Sequence, residues 1–366
     1  MARLLTRENL GTKTTTENPF ECNFLVLGGG GGGGGNFGGG GAGGYITSWR
    51  GAGAEKSGGD TTPVDPLLLS LGAHYVVTVG AGGYAHGAHL DYGGGDSRFH
   101  TILAYGGGGG NYSSTAGKES KTALIGSGGG GSISVPTGVT SVTAGQGFAG
   151  GNFYTASGTG RQCGGGGGGA GAVGDTPSGS DTTTTGGAGL ASTITGTSVA
   201  RGGGGGGAHW VSGVVRGDRC GIGGAGGGGW SDGGDGGSYG PPATWEQHVD
   251  TITGYGLGND FLSTRTTGGL HAAGSVTATL AYGRNKGGGG GGGQFVGATD
   301  GGGGVVILRV PDTVTAFFGL DAVYTKDTTT VAGYDIYVIT HTGSFTGASS
   351  TDPTFSGSSW VQFLAT

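Results

Sequence analysis

The segment Tyr84-Ala85-His86-Gly87-Ala88-His89-Leu90-Asp91-Tyr92 brings two imidazoles and a carboxylate close together in the chain. Neutral imidazole and carboxylate are ordinary ligands of zinc or nickel, so His86, His89 and Asp91 are the first metal candidates. No fourth ligand accompanies them, and the helix that presents an HExxH pair on one face is missing. The expectation is an exposed loop without a metal. Gly236-Gly237-Ser238-Tyr239-Gly240 fits GxSxG, but a nucleophile elbow needs a strand, a sharp turn and a helix around it. Glycine-rich sequence yields such matches by chance. Gly117-Lys118 has no glycine five positions earlier, so it is not a phosphate loop. Asp232 and Asp235 hint at a calcium turn, without the nonapeptide repeat to which such turns belong. Cys22, Cys163 and Cys220 are an odd number with no CxxC pair, which gives neither a disulfide framework nor a zinc site. No catalytic pair is indicated and no cofactor is implied, so the chain reads as a non-enzyme.

The remaining candidates for chemistry are aromatic. Tyr84, Tyr92, Tyr112, Phe153, Tyr154, Trp210, Trp230, Tyr239, Trp245 and Tyr255 stand among Asp, Asn, Ser, Thr and Gly. Flat rings with polar tips suit sugar faces and protein surfaces alike, and recognition loops favour Tyr, Ser, Gly and Asn. The competing reading is that the rings cover a body that has few side chains of its own.

That body is dictated by composition. The chain has 366 residues, of which 102 are glycine and 9 proline. Only 33 % are hydrophobic, which is too few for a conventional aliphatic core of this size. Glycine costs roughly 0.5–1 kcal/mol against alanine within regular structure, so a helical protein is excluded. Collagen is excluded because the glycines come in blocks and not at every third position. The formal charge of −6 comes without a Lys/Arg cluster, so neither nucleic acid nor an anionic membrane is an expected partner. No run approaches 18 apolar residues, and the start MARLLTRENLGTKTTTENPF has no apolar signal core. Membrane insertion and secretion by a signal peptide are therefore not expected, and the protein is expected to be made in a cytoplasm.

Runs of four or more glycines occupy 28–35, 38–41, 106–110, 128–131, 164–169, 202–207, 226–229, 287–293 and 301–304. The spacing is irregular, which argues against a fixed-period solenoid. A run of six to eight glycines can form the extended three-residue helix, which has no internal hydrogen bonds and rises about 3.1 Å per residue. Its amides and carbonyls point outward and, when buried, must find partners. Several such runs side by side would bond to one another, and a side chain on any facing position would push them apart. Gly28, Gly31, Gly35, Gly106, Gly166, Gly204 and Gly290 are the representative scaffold positions. On this basis Gly166→Val should harm folding far more than Gly138→Val, with Gly138 read as a loop residue.

Phe24–Leu27, His74–Val79 and Val305–Val310 are short β-branched or aromatic runs bounded by glycine, and they read as strands. The fold class is therefore mostly irregular and all-β, with packed polyglycine helices and flanking short strands. Residues 1–22 are polar and read as a docking arm, and 23–310 as the glycine-rich domain with long loops. Residues 311–366 lack glycine blocks and read as a small β module.

FLVLGGGGGGGGNFGGGGAGGYI (Phe24–Ile46), HYVVTVGAGG (His74–Gly83) and GGGGVVILRV (Gly301–Val310) resemble, in this order, the signatures of the glycine-rich domain of bacteriophage tail and tail-fibre proteins. GYDIYVITHTGSFT (Gly333–Thr346) resembles the β segment that accompanies it, so the likeness covers about residues 22–346. The chain departs from fibre-tip adhesins in its long inserts, such as 45–73 and 230–286, and in lacking a fibre-forming stalk. The resemblance implies polyglycine helices packed as a sandwich, with loops at one end that contact a host cell-surface receptor, protein or glycan. It also implies a place on the virion, other virion proteins as partners of the N-terminal arm, and a homo-oligomer, a trimer in the first instance. The receptor-binding candidates are then Tyr84, His86, His89, Tyr92, Trp210, Trp230, Tyr239 and Trp245. The alternative is a capsid or tail decoration protein with no receptor.

Overall fold

The structure is a computed structural model that describes residues 19–51, 55–83, 93–110, 124–133, 135–140, 142–156, 161–179, 184–211, 221, 223–228, 286–293, 298, 300–342 and 358–366. Among these the chain is all-β, without a helix, and every sheet is antiparallel. No helix long and apolar enough to cross a membrane occurs among the described residues.

The N-terminal half supplies β1 (Pro19–Leu27), β2 (Tyr45–Thr47), β3 (Leu67–Ser70), β4 (His74–Thr78), β5 (Ser97–Phe99) and β6 (Ile102–Ala104). Short strands follow between glycine runs: β7 (Tyr154–Ala156), β8 (Arg161–Cys163), β9 (Leu190–Ser192), β10 (Val199–Arg201) and β11 (His209–Val211). The last part of the chain supplies β12 (Val305–Pro311), β13 (Val314–Phe318), β14 (Ala322–Asp327), β15 (Tyr334–Thr342) and β16 (Ser359–Ala365).

These strands form a six-stranded sheet in the order β14-β15-β12-β1-β2, with β3 pairing the start of β1, and a five-stranded sheet in the order β13-β16-β4-β5-β6. Two smaller sheets, β10-β9 and β11-β8-β7, lie among the glycine runs. The two large sheets share one apolar core. Phe20, Phe24 and Val26 of β1, Val306 and Leu308 of β12, and Tyr337 of β15 meet Tyr75, Val77, Phe99, Val361 and Phe363 of the other sheet. Phe20 meets Phe363 edge-on at 5.0 Å, and the Phe24 and Phe99 rings lie 6.4 Å apart. Each such ring or branched side chain contributes about 1.5–3 kcal/mol through burial.

The intervening residues of the same strands face the other way. Leu25, Leu27, Val305, Ile307 and Ile336 pack with Tyr45, Ala170 and Ile194 in a second cluster. The centre of the six-stranded sheet is thus covered on both faces. This is why Phe24–Leu27 and Val305–Leu308 are unbroken apolar runs and not alternating ones.

Residues 311–366, read from sequence as a small β module, share both sheets with N-terminal strands. β15 lies between β14 and β12, and β16 lies between β13 and β4. Similarly, residues 19–22 of the expected arm are part of β1, where Pro19–Cys22 pair with Leu67–Ser70; residues 1–18 lie outside the described residues. Local patterning identified the strands but could not name their partners, such as Ile307 for Leu25 or Tyr75 for Val361, far along the chain.

The strands give the molecule a direction. β1 runs from Pro19 into Gly28, and β12 leaves Gly304 and ends at Pro311 opposite Tyr334. The amide of Thr366 donates to the carbonyl of Thr313 at 3.0 Å. Pro19, Pro311 and Thr366 therefore lie at one end of the sheets, here termed the base. The glycine runs extend from the other end.

Candidate functional site

The glycine runs form a body whose backbone groups satisfy one another. From the first run, Gly28 donates to Gly44, Gly29 to Gly95, Gly30 to Gly302 and Gly31 to Gly41, all at 2.8–2.9 Å. The partner recurs at the third residue. The run also accepts from Gly107 and Gly110 at Gly29 and Gly32, and from Gly290 and Gly293 at Gly31 and Gly34. In the next run, Gly39 and Ala42 donate to Gly165 and Gly168, Gly40 and Gly43 to Gly290 and Gly287, and Gly41 and Gly44 to Gly108 and Tyr105. Each residue in three faces a different neighbour, so little room is left for a side chain, and Ala42, fully buried, is the one non-glycine among these donors.

The scaffold positions illustrate the consequence. A Cβ built on Gly28, Gly31, Gly106, Gly166 or Gly204 would fall inside 3.0 Å of a backbone oxygen: that of Tyr105, Gly108, Gly94, Thr185 or Gly167 respectively. Gly290 donates to Gly31 at 2.8 Å and accepts from Gly40 at 2.7 Å, and Gly35 is buried in the turn between the first two runs. Gly138 differs from its expected loop role. Its amide donates to Asn152 Oδ1 at 3.0 Å, and a Cβ there would overlap the carbonyls of Gly150 and Gly151. It is packed against the body, because the segment after Gly131 folds back along the 150–151 stretch.

Hydrogen bonding also orients the runs. Gly28–Gly35 leads away from the sheets, the chain turns where Gly34 donates to Gly38, and 38–44 returns to Tyr45. Phe37 sits in that turn with a φ of 83°, buried, its ring 6.1 Å from that of Phe153. Phe37 donates to Gly293 and accepts from Ala208, so three excursions of the chain meet at this far end. Gly83, the last described residue before 84–92, donates to Gly30 partway along the first run.

Tyr84, His86, His89 and Tyr92 lie outside the described residues, as do Trp230, Tyr239 and Trp245; so do Asp91, Tyr112, Asp232, Asp235, Ser238 and Tyr255. Trp210 is placed by its backbone, in β11 opposite Gln162. The stretch that carries Trp230, Tyr239 and Trp245 returns at Lys286, whose carbonyl accepts from Gly202, beside Gly287, which accepts from Gly43 near the sheets. Among the described residues no three His, Cys, Asp or Glu side chains are grouped as a metal site would require. Cys22 and Cys163 are both buried, and burial, with Glu21 adding to it, pushes the Cys22 thiol far up.

The described polar side chains of note are on the second apolar cluster. Glu55 accepts from the hydroxyls of Ser192 and Thr193 at 2.7 and 2.6 Å and from the Thr193 amide at 2.8 Å, and the indole nitrogen of Trp49 donates to Thr193 at 3.0 Å. Arg201 and Lys286 are both shifted down by burial; Arg201 also opposes the charge on Lys286. Arg309 lies with its guanidinium carbon 3.9 Å from the Trp49 ring centre and 4.4 Å from that of Tyr334. Sequence reading passed over this cluster: Trp49, Arg309 and Tyr334 are far apart in the chain, and only strand pairing joins them.

On the outer face of the five-stranded sheet, His74 stacks on Trp360 at 4.6 Å with Val76, Phe317 and Leu364 exposed around them. On the edge of the other sheet, Lys326 and Asp335 pair at 2.7 Å. Compared with family models, with curated proteins and with solved structures, the chain matches none.

Proposed function

We propose that this chain is a virion structural protein of a bacteriophage, a tail-fibre or tail-tip adhesin that binds a host cell-surface receptor through loops held on a polyglycine scaffold. The observation that carries the reading is directional. β1 enters the glycine body and β12 leaves it at one end of the sheets, and the glycine runs extend from that end and turn at Phe37. Such a body offers one end for attachment and the other for contact.

The glycine body is read as packed polyglycine II helices in a sandwich. Support comes from the hydrogen bonds that recur at every third residue and from the carbonyl that blocks each face of the first run. Eight residues in this conformation span roughly 25 Å. The backbone is fixed by its own hydrogen bonds, so the loops lose little to motion of their support, and preorganised loops bind at lower entropic cost. Function on this reading is non-catalytic. Several copies on a virion, with a homotrimer as the proposed assembly, convert weak contacts into avidity. The N-terminal segment before Pro19 would hold other virion proteins.

The runner-up is a capsid or tail decoration protein. The exposed His74–Trp360 face favours it, because a decoration buries one broad face on its support. Adsorption competition separates the two. Purified protein added to host cells should block the parent phage in a dose-dependent way, and exchange of residues 84–92 should abolish the block. Folded protein that fails to compete on the right host would reject the adhesin and favour the decoration protein.

A further inference from the structure

Arg309 projects from the middle of a strand into the second apolar cluster and is 6 % exposed. A buried guanidinium normally gains a carboxylate and several acceptors, because losing water costs more than packing returns. Here the sole hydrogen bond runs from Nη1 to the carbonyl of Ile194 at 3.4 Å, which is long. Nε is enclosed without a partner. The ion pairs among the described residues, Arg50–Asp65 and Lys326–Asp335, leave Arg309 out. Nη2 also has no protein partner, yet it is not enclosed as Nε is. The aromatic rings of Trp49 and Tyr334 flank the group and fix its plane. The cation is thus oriented and largely desolvated, with one side-on edge unused.

We propose that this edge is a docking point for the carboxylate of an acidic side chain, Asp or Glu, carried by another protein chain. Nε and Nη2 form the fork that takes both oxygens of a carboxylate. Nη2 is the end of the fork that is not enclosed, so a carboxylate oxygen meets it first, and the second oxygen reaches Nε only on a shift of the Trp49 and Tyr334 side chains that enclose it. A thin acidic stem fits better than an acidic sugar, because Trp49 and Tyr334 each turn a face to Arg309 and so cannot both offer it to a pyranose ring. Location supports a protein partner. Arg309 pairs with Asn23 and Ile336 at the base half of the six-stranded sheet, two residues before Pro311. That the partner belongs to the attachment end rests on the function proposed above; the carboxylate chemistry does not.

The test uses the full chain labelled with 15N-arginine. The Arg309 Nε–H cross-peak is identified by its loss in Arg309→Lys, or by contacts with Trp49 and Tyr334 ring protons if that variant does not fold. The probe is the blocked peptide acetyl-Gly-Glu-Gly-amide, with acetyl-Gly-Gln-Gly-amide, sodium chloride at matched ionic strength and sodium glucuronate alongside. A saturable downfield shift with the Glu peptide and none with the Gln peptide is expected. No saturable shift, or an equal one with chloride, overturns the site. Saturation by glucuronate but not by the Glu peptide overturns the protein partner in favour of an acidic sugar. None of these outcomes depends on host cells, so the result stands apart from the adsorption experiment.

Discussion

Gly106 and Gly94 lie so close that a methyl group added to the first would overlap the carbonyl oxygen of the second. The same holds at Gly166 against Thr185 and at Gly33 against Gly291. These overlaps are with backbone, which cannot rotate away as a side chain would.

Gly166→Ala should therefore destabilise the protein by about 1–3 kcal/mol or more, the usual cost of forcing extra volume into a packed interior. Gly179 is the right comparison, since a Cβ there meets nothing within 4 Å. Gly179→Ala should be neutral or slightly stabilising, because alanine restricts the unfolded chain. Thermal denaturation of both variants decides it. Equal melting would reject the close-packed glycine body at this run. Gly138→Val is not a usable control and should also destabilise, because of its contact with the 150–151 stretch.

The interleaving of the last strands predicts a second contrast. Phe363→Ala removes a fully buried ring that meets Phe20 and Tyr75, with an expected loss of about 3–5 kcal/mol. Phe317→Ser, on the exposed face of the neighbouring strand, should change stability by less than about 0.5 kcal/mol. Chemical denaturation should show a single transition for both. A separate, early transition in Phe363→Ala would mean that residues 311–366 fold as a unit of their own.

Asp327 gives a prediction with a sign. Its carboxylate accepts from the amides of Thr329 and Thr330 and from both their hydroxyls. The Thr330 hydroxyl contributes most to holding its pKa below the ordinary aspartate range. A carboxyl depressed in the folded state stabilises fully above its unfolded pKa, about 3.9, and loses that contribution as pH falls through the folded value. Asp327→Asn should therefore melt below the wild type at neutral pH, and the gap should close in acid. A gap that widens in acid would contradict the turn geometry.

Thiol chemistry provides a fourth check. Cys22 and Cys163 are buried, and the reactive form of Cys22 is disfavoured by its surroundings. Iodoacetamide should leave both unmodified in the native protein and label both in denaturant, as read by mass spectrometry of the peptides. Native labelling of Cys22 would mean that the pairing of β1 with β3 opens readily.

The strands were legible because their residue types announce them. Phe24–Leu27, His74–Thr78 and Val305–Val310 are strands, and their glycine borders mark where the sheets stop. The need for glycine on all faces was legible too, since block glycine has few other uses. What was hidden is long-range. Nothing near Tyr334 or Trp360 tells that their strands insert beside β12 and β4. The direction of each glycine run is equally silent, because glycine has no side chain to mark a face; only the hydrogen bonds of Gly31 with Gly41 and Gly290 reveal it. Arg309 sits in VVILRV and reads as one charge at the end of a strand. Its environment is made by Trp49, Ile194 and Tyr334, which local pattern cannot join to it.

The neighbours of the first glycine run also set a timetable for the growing chain. Gly30 bonds to Gly302, Gly31 to Gly290 and Gly34 to Gly293, and Leu25 pairs with Ile307. A ribosome that has made only the first two hundred residues has produced the run but not the partners that enclose it. Until residues 287–310 emerge, those amides and carbonyls face water, and β1 lacks its partner β12. Contacts of such sequence separation form slowly. The body therefore cannot close before its last part is made, and a chain broken off before residue 287 lacks the partners of Gly30, Gly31 and Gly34.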